Sequence, residues 1–200
     1  MKLLRHSLVA RIIASLLAIS ALALVSIVVT MTVASDSRGD AAAINVAGSL
    51  RMNTYQIVSA LQRFDQQPGE AARARVTELA ERFEQRLASV ELTGALPDAE
   101  DHPLQEHHHR LQARWAEELA PQVARATAGG NVAPDALRET LDELVAEIDA
   151  LVTLLEQNSE SKIQLLSALQ ILFLGLTAVV VVIALYDIRH NLVMPLRHLV

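Results

Sequence analysis

One arginine, Arg51, has a sequence environment in which anion binding is a chemically reasonable role. Residues 41–64 contain two arginines and no acid, so no carboxylate lies three or four residues from Arg51 to pair with it on a helix. The planar guanidinium group matches a planar oxyanion through paired hydrogen bonds, which a lysine cannot copy. The nearby Gly48 costs about 1 kcal/mol relative to alanine within a helix but permits close approach. From these residues alone, an exposed or loosely paired surface arginine remains the alternative.

The spacing of the surrounding residues predicts a helix that carries Arg51 beside its apolar face. Two stripes step by four and three residues, and they lie about 100° apart, so they form two adjacent faces. If the first packs within the chain, the second is free for a partner, and a second copy of the chain about a two-fold axis is the natural one. The first stripe is Ala43, Ala47, Leu50, Thr54, Ile57 and Leu61, and the second is Ile44, Gly48, Arg51, Tyr55 and Val58.

Two apolar blocks, residues 12–35 and 163–186, contain no charged residue and are long enough to cross a membrane. A cleavable signal peptide is the alternative for the first block, although its apolar run exceeds the usual length. Basic residues flank both blocks on the sides away from the intervening segment, so we expect both termini to be cytoplasmic and residues 36–162 to be periplasmic. These basic residues are Lys2, Arg5, Arg11, Arg189 and Arg197.

The segment between the two blocks is acidic and has no cysteine. It holds 22 Asp/Glu and 12 Lys/Arg, a formal net charge of −10, which argues against nucleic acid as a partner. An exported domain without disulfides depends on its core, and a helical bundle in a bacterial periplasm fits this requirement.

Breaks rich in Gly, Pro or Asp divide this segment into four predicted helices, residues 40–66, 70–91, 103–127 and 134–162. Short loops favour antiparallel neighbours, so we predict an all-α fold in which two transmembrane helices flank an antiparallel four-helix bundle. The fourth stretch has no stop signal before the second apolar block, which predicts one continuous helix. The predicted core positions are Val76, Leu79, Phe83, Leu87 and Val90; Leu104, Leu111, Trp115, Leu119 and Val123; and Leu137, Leu141, Leu144, Ile148, Leu151 and Leu155.

The run EHHHR at 106–110 is the other chemically notable motif. Successive histidines point in different directions on a helix, so they cannot share one ion. His102, Glu106 and His109 could share a face, but a titrating solvent face is the favoured interpretation, and we predict neither a metal nor a cofactor. Nothing in the outer segment resembles a nucleophile with its base or a phosphate loop, so we do not expect it to be an enzyme.

The stretch DAAAINVAGSLRMNTYQI, residues 40–57, resembles the periplasmic signature of the nitrate/nitrite sensor histidine kinases of the NarX and NarQ kind. Related bacterial receptors, including pilus-linked chemotaxis transducers, carry similar modules. The resemblance implies a homodimer in which Arg51 from each subunit binds one nitrate at the dimer axis. It further implies that Gly48 lines the site and that Ile44 and Asn45 help to shape it.

The predicted organisation is a cytoplasmic N-terminus (1–11), a first span (12–35), the sensor domain (36–162), a second span (163–186) and the start of a HAMP linker (187–200). The linker is identified by MPLRHL at 194–199, which resembles a HAMP opening. No kinase domain follows within the 200 residues, so we expect the input half of an inner-membrane receptor. The resemblance implies a histidine kinase output and a response regulator as its partner. The alternatives are a chemotaxis-type or other HAMP receptor and a membrane bundle without a ligand.

Overall fold

The structure is a computed structural model that describes residues 8–99, 101–130 and 133–189. The HAMP motif at 194–199 and most of the predicted cytoplasmic N-terminus, 1–7, lie outside the described residues. The described part is helical and contains no strand, as predicted. Its elements are α1 (Leu8–Gln66), α2 (Glu70–Leu87), α3 (Val90–Thr93), α4 (Pro103–Arg114), a π-helical turn (Trp115–Leu119), α5 (Ala120–Thr127) and α6 (Pro134–Ile188).

The chain divides into two units. Asp36–Glu160 forms one unit, and the described residues before and after it form the other. The helical segments Ile13–Gln66 and Pro134–Tyr186 each include an apolar 18-residue stretch that is long enough to cross a membrane and is not buried within the chain. Within these stretches Thr30 and Thr177 donate their hydroxyl hydrogens to the carbonyls of Ser26 and Phe173, so the polar side chains are satisfied locally.

The unit Asp36–Glu160 is an up-and-down four-helix bundle. Side-chain contacts connect α1 to α2, α2 to α4, α4 to α6, and α6 back to α1. In the first three pairs the residue number rises along one helix as it falls along the other, so these neighbours are antiparallel, and α6 is therefore antiparallel to α1 as well. The contacts are Asn53 with Leu79 and Arg86 with Ser49, His108 with Leu87 and Phe83 with Trp115, Arg114 with Glu143 and His107 with Glu147, and Arg51 with Asp149.

The core consists of the stripes expected from helical spacing. Every residue of the first α1 stripe is buried, as are the six α6 positions from Leu137 to Leu155 and the five positions of the third stretch. Trp115 is a core residue, and its ring centroid lies 4.1 Å from that of Phe83.

The predicted core position Val90 is wrong, since its side chain is 81% exposed. The second stretch does not run unbroken to residue 91, because α2 ends at Leu87 and Ser89 caps the short α3. The Ser89 hydroxyl accepts a hydrogen bond from the Leu92 amide, and the new helix turns Leu92 rather than Val90 into the core.

The third stretch is continuous from 103 to 127 but contains one wide turn. Pro121 has no N–H, and its ring clashes with the carbonyl four residues earlier in a regular helix. The Ala120 amide instead bonds to the carbonyl of Trp115, five residues back, which widens the turn. The α5 helix then ends at Thr127, and the φ of +81° at Gly129 lets the Gly130 amide reach the carbonyl of Arg125 at 2.9 Å.

Candidate functional site

The structure gives Arg51 a partner on another helix. Its Nη1 donates to Oδ1 of Asp149 at 2.8 Å, and both side chains are half exposed. The sequence expectation concerned only carboxylates on the same helix as Arg51, and the partner that the structure shows lies on α6. An ion pair with this exposure contributes between about 0 and 1 kcal/mol, because water screens it and two side chains must be ordered.

The other predicted site residues lie on the same helix, at different depths. Asn45 is exposed, whereas Ile44 is partly buried and packs against the core. Gly48 is half-buried, and a Cβ built there would meet no atom of the described residues within 4 Å. Packing within the chain therefore does not require glycine at this position, and the space beside it is open.

Arg114 shows how a fully engaged arginine differs from Arg51. Its Nη1 bonds to Glu147 at 2.5 Å, its Nη2 bonds to Glu143 at 2.6 Å, and its Nε lies 3.5 Å from Glu118. The hydrogen bond to Glu143, supported by the other carboxylates, raises the pKa of Arg114. Three carboxylates leave this guanidinium little capacity for an external anion, even though it lines a cavity of about 320 Å³. Within the described residues, Arg51 contacts one carboxylate through one nitrogen.

Two large side chains beside Arg51 are exposed. Met52 is 60% exposed and Tyr55 is 49% exposed. With Asn45 and Gly48 they continue a spacing of three and four residues, which is the spacing of a helix–helix seam. The outward face of α1 therefore combines a small residue, apolar surface and a lightly paired cation.

The three successive histidines do not form one solvent face, which corrects the expectation from the sequence. His109 is exposed, His107 is half-buried, and His108 is buried. His108 Nε2 lies 2.9 Å from the carbonyl of Leu87, the last residue of α2, while its Nδ1 has no hydrogen-bond partner in the part of the chain that the structure describes. His108 thus occupies the core as a neutral imidazole that satisfies a helix-terminal carbonyl. His102 accepts a hydrogen bond from the Leu104 amide at the start of α4, and no group of three metal-binding side chains occurs among the described residues.

Acidification is expected to destabilise the bundle through His108. Burial lowers the pKa of His108 below its usual value of 6.5, although the bond to Leu87 opposes this and the charge of His109 adds to it. Below about pH 6.5 the unfolded chain takes up a proton that the folded chain does not, so the free energy of unfolding falls. His108→Gln, which keeps an N–H donor but does not titrate, should flatten the decrease between about pH 7 and pH 5. Denaturant unfolding at a series of pH values, followed by circular dichroism, measures the free energy of unfolding.

His109→Gln is the matched control, because the same substitution is made at the adjacent exposed histidine. It should leave most of the pH dependence in place. A His108→Gln chain with an unchanged pH dependence would show that another group is responsible.

Comparison with known protein families gives a match over residues 32–142, to the family described as the type IV pili methyl-accepting chemotaxis transducer N-terminal domain, PilJ. The match covers more than half of the chain, and the chain belongs to this family.

Comparison with individual proteins gives the nitrate/nitrite sensor protein NarX from Escherichia coli K12, from Escherichia coli O157:H7 and from Shigella flexneri. Each is 29% identical over 163 residues, or 81% of this chain. The chain spans 24% of the length of these relatives. The resemblance inferred from residues 40–57 is thereby confirmed, over a much longer part of the chain, as similarity to a NarX-like N-terminal sensor half.

Proposed function

We propose that the chain is the input half of a homodimeric inner-membrane receptor of a two-component system, which binds nitrate, and also nitrite, between the Arg51 side chains of two subunits. The observation that carries the proposal is a half-exposed guanidinium that, among the residues described, has one carboxylate contact through a single nitrogen and lies beside open space at Gly48. The similarity to proteins named nitrate/nitrite sensors supports nitrate as the identity of the anion.

Electrostatics favours an anion between two facing arginines. Two guanidinium groups about 7 Å apart repel by about 2.4 kcal/mol at an effective dielectric constant near 20, whereas an anion about 4 Å from each gains about 4 kcal/mol per side before desolvation. Asn45 and Gly48 lie on the same outward face and would line the site, while Ile44 would shape it from the core side. Binding would shift α1 against α6, and the second apolar segment would carry the change to HAMP and a kinase output.

The chemotaxis-transducer description of the family favours a second candidate, in which the same input module is joined to a different output. The two candidates share the ligand site and differ beyond Val200. A phosphoacceptor histidine with an ATP-binding domain would support a kinase, whereas a long helical hairpin would support a chemoreceptor.

Calorimetry of the chain in lipid nanodiscs with sodium nitrate tests the ligand, with sodium chloride at the same ionic strength as the reference. We expect a saturable heat with nitrate and none with chloride. A chain that gives no nitrate heat would contradict the proposal and favour a bundle without a ligand.

The proposed dimer predicts a specific effect at Met52. On a two-fold axis each Met52 would lie near its own copy, so Met52→Glu would bring like charges together at a cost of several kcal/mol. We expect the dimer to dissociate at least about tenfold more readily, as measured by light scattering of the detergent-solubilised chain.

Val90→Glu is the control for this prediction, because it introduces the same charge at an apolar residue that is 81% exposed and lies outside α1. It should leave the dimer intact. Equal dissociation constants for Met52→Glu and the wild type would place the subunit contact elsewhere.

A further inference from the structure

The contact between Arg51 and Asp149 assigns a role to an acid that lies 98 residues away from the arginine in sequence. We propose that Asp149 is the resident carboxylate with which a bound nitrate competes for Arg51, so that this residue sets the affinity of the site and connects its occupancy to α6. The inference rests on the proposed function and deepens it, because it names a residue outside the α1 signature.

The chemistry of the two anions makes them competitors. A carboxylate and a nitrate are both acceptors that carry negative charge, and both are bound best by the paired N–H groups of one guanidinium edge. Asp149 holds Nη1 at 2.8 Å, so a nitrate bound bidentately through that nitrogen must share or displace the carboxylate oxygen.

Charge balance at the proposed dimer axis leads to the same conclusion. Two arginines with two paired aspartates carry no net charge, so a nitrate added to that arrangement leaves a net charge of −1. If both aspartates move away, the two arginines and one nitrate carry a net charge of +1. The anion is therefore held more tightly when the carboxylates are displaced.

The ion pair between Arg51 and Asp149 is weak enough for a bound anion to displace it. Both side chains are 50% exposed, and exposed pairs of this kind change an equilibrium by up to about fivefold, equivalent to about 1 kcal/mol. An anion that gains two arginines can overcome such a contact. By contrast, two carboxylates of α6, Glu143 and Glu147, hold the Arg114 guanidinium of α4 against that helix.

Displacement of the Asp149 carboxylate would also affect α6, since Asp149 lies between two fully buried core positions of that helix, Ile148 and Leu151. A change at Asp149 therefore acts on a helix surface that continues directly into the core. Because coupling between two equilibria is reciprocal, whatever strengthens the ion pair weakens anion binding by the same factor.

Asp149→Asn in the full chain tests the inference by nitrate calorimetry in nanodiscs of neutral lipid at constant ionic strength. We expect nitrate to bind between about fivefold and about 25-fold more tightly, because the substitution removes the competing carboxylate in both subunits and each lost ion pair counts for up to about fivefold. Asp142→Asn is the matched control. Asp142 lies two turns earlier on the same face of α6, is exposed, and forms no ion pair among the described residues. The nitrate affinity of the Asp142→Asn chain should therefore differ from that of the wild type by less than about twofold.

A double-mutant cycle gives a second readout. The stabilities of the wild type, Arg51→Ala, Asp149→Asn and the double variant, measured in chloride, should show a coupling of up to about fivefold that disappears in saturating nitrate. Weaker or unchanged nitrate binding by Asp149→Asn, or a coupling that persists in nitrate, overturns the inference while the proposed function stands. A wild type without nitrate heat overturns both.

Discussion

Replacing Arg51 with alanine is expected to weaken nitrate binding by about 10²- to 10⁴-fold. The substitution removes a guanidinium from each subunit of the proposed dimer, so one bound anion loses two charged donors. A hydrogen bond to a charged group contributes about 1.5–3 kcal/mol, and each 1.4 kcal/mol corresponds to a tenfold change in affinity. Titration calorimetry of the full chain in nanodiscs measures the change. The folded state should be little affected, because the Arg51–Asp149 pair is exposed.

Arg63→Ala is the matched control for this result. Arg63 is also exposed on α1 and bonds to the carbonyl of Ser59 within its own helix. The control removes the same charge from the same helix and should leave nitrate affinity within about twofold, because more distant exposed charges are screened. The nitrate affinity of Arg51→Lys should lie between those of Arg51→Ala and the wild type, since lysine keeps the charge and loses the planar guanidinium. Nitrate binding by Arg51→Ala at wild-type affinity would place the site elsewhere.

The fold could be predicted because helical periodicity carries most of its information. In the bundle, the residues that repeat every three or four positions are the ones that are buried, and the predicted helix limits at 66, 70, 103, 127 and 134 agree with the structure. The prediction that Val90 is a core position was wrong because Ser89 caps a new helix, and this local capping bond outweighs the continued apolar spacing.

The partner of Arg51 was missed because only neighbours on the same helix were considered. Antiparallel pairing of the predicted helices 40–66 and 134–162 places residue 51 opposite a residue near 150, and Asp149 is an acid at that height. The signal was present in the sequence, but it requires the topology first. Which guanidinium nitrogen bonds, and how exposed the pair is, depends on side-chain packing that the sequence pattern does not contain.

The histidine run was misread for a related reason. Three adjacent histidines suggest a polar surface by composition, yet Leu104, His108, Leu111 and Trp115 are spaced by four, three and four residues. That spacing puts His108 on the buried stripe of α4, and the carbonyl at the end of α2 provides the hydrogen-bond acceptor that makes its burial tolerable. Helical phase was the better guide than residue type.

Trp115→Ala is expected to lower the free energy of unfolding of the bundle by about 3–5 kcal/mol. Trp115 is 2% exposed, packs on Phe83, and lies at the start of the π-helical turn that Pro121 imposes. Removing the indole leaves a cavity at a position where the backbone is already held in a widened turn, so we expect little collapse around it. Denaturant unfolding of the full chain, followed by far-ultraviolet circular dichroism, measures the loss without needing the single tryptophan as a reporter.

Trp115→Phe separates loss of volume from loss of the indole N–H. The Nε1 of Trp115 has no hydrogen-bond partner among residues 8–99, 101–130 and 133–189, so phenylalanine removes an unsatisfied donor while it keeps an aromatic contact with Phe83. Trp115→Phe should therefore lower the free energy of unfolding clearly less than Trp115→Ala does. Val90→Ala, at an exposed position, should change it by less than about 0.5 kcal/mol. If Trp115→Ala destabilised the chain no more than Val90→Ala, the tryptophan would not be a core residue, and the packing of α2 on α4 described above would be wrong.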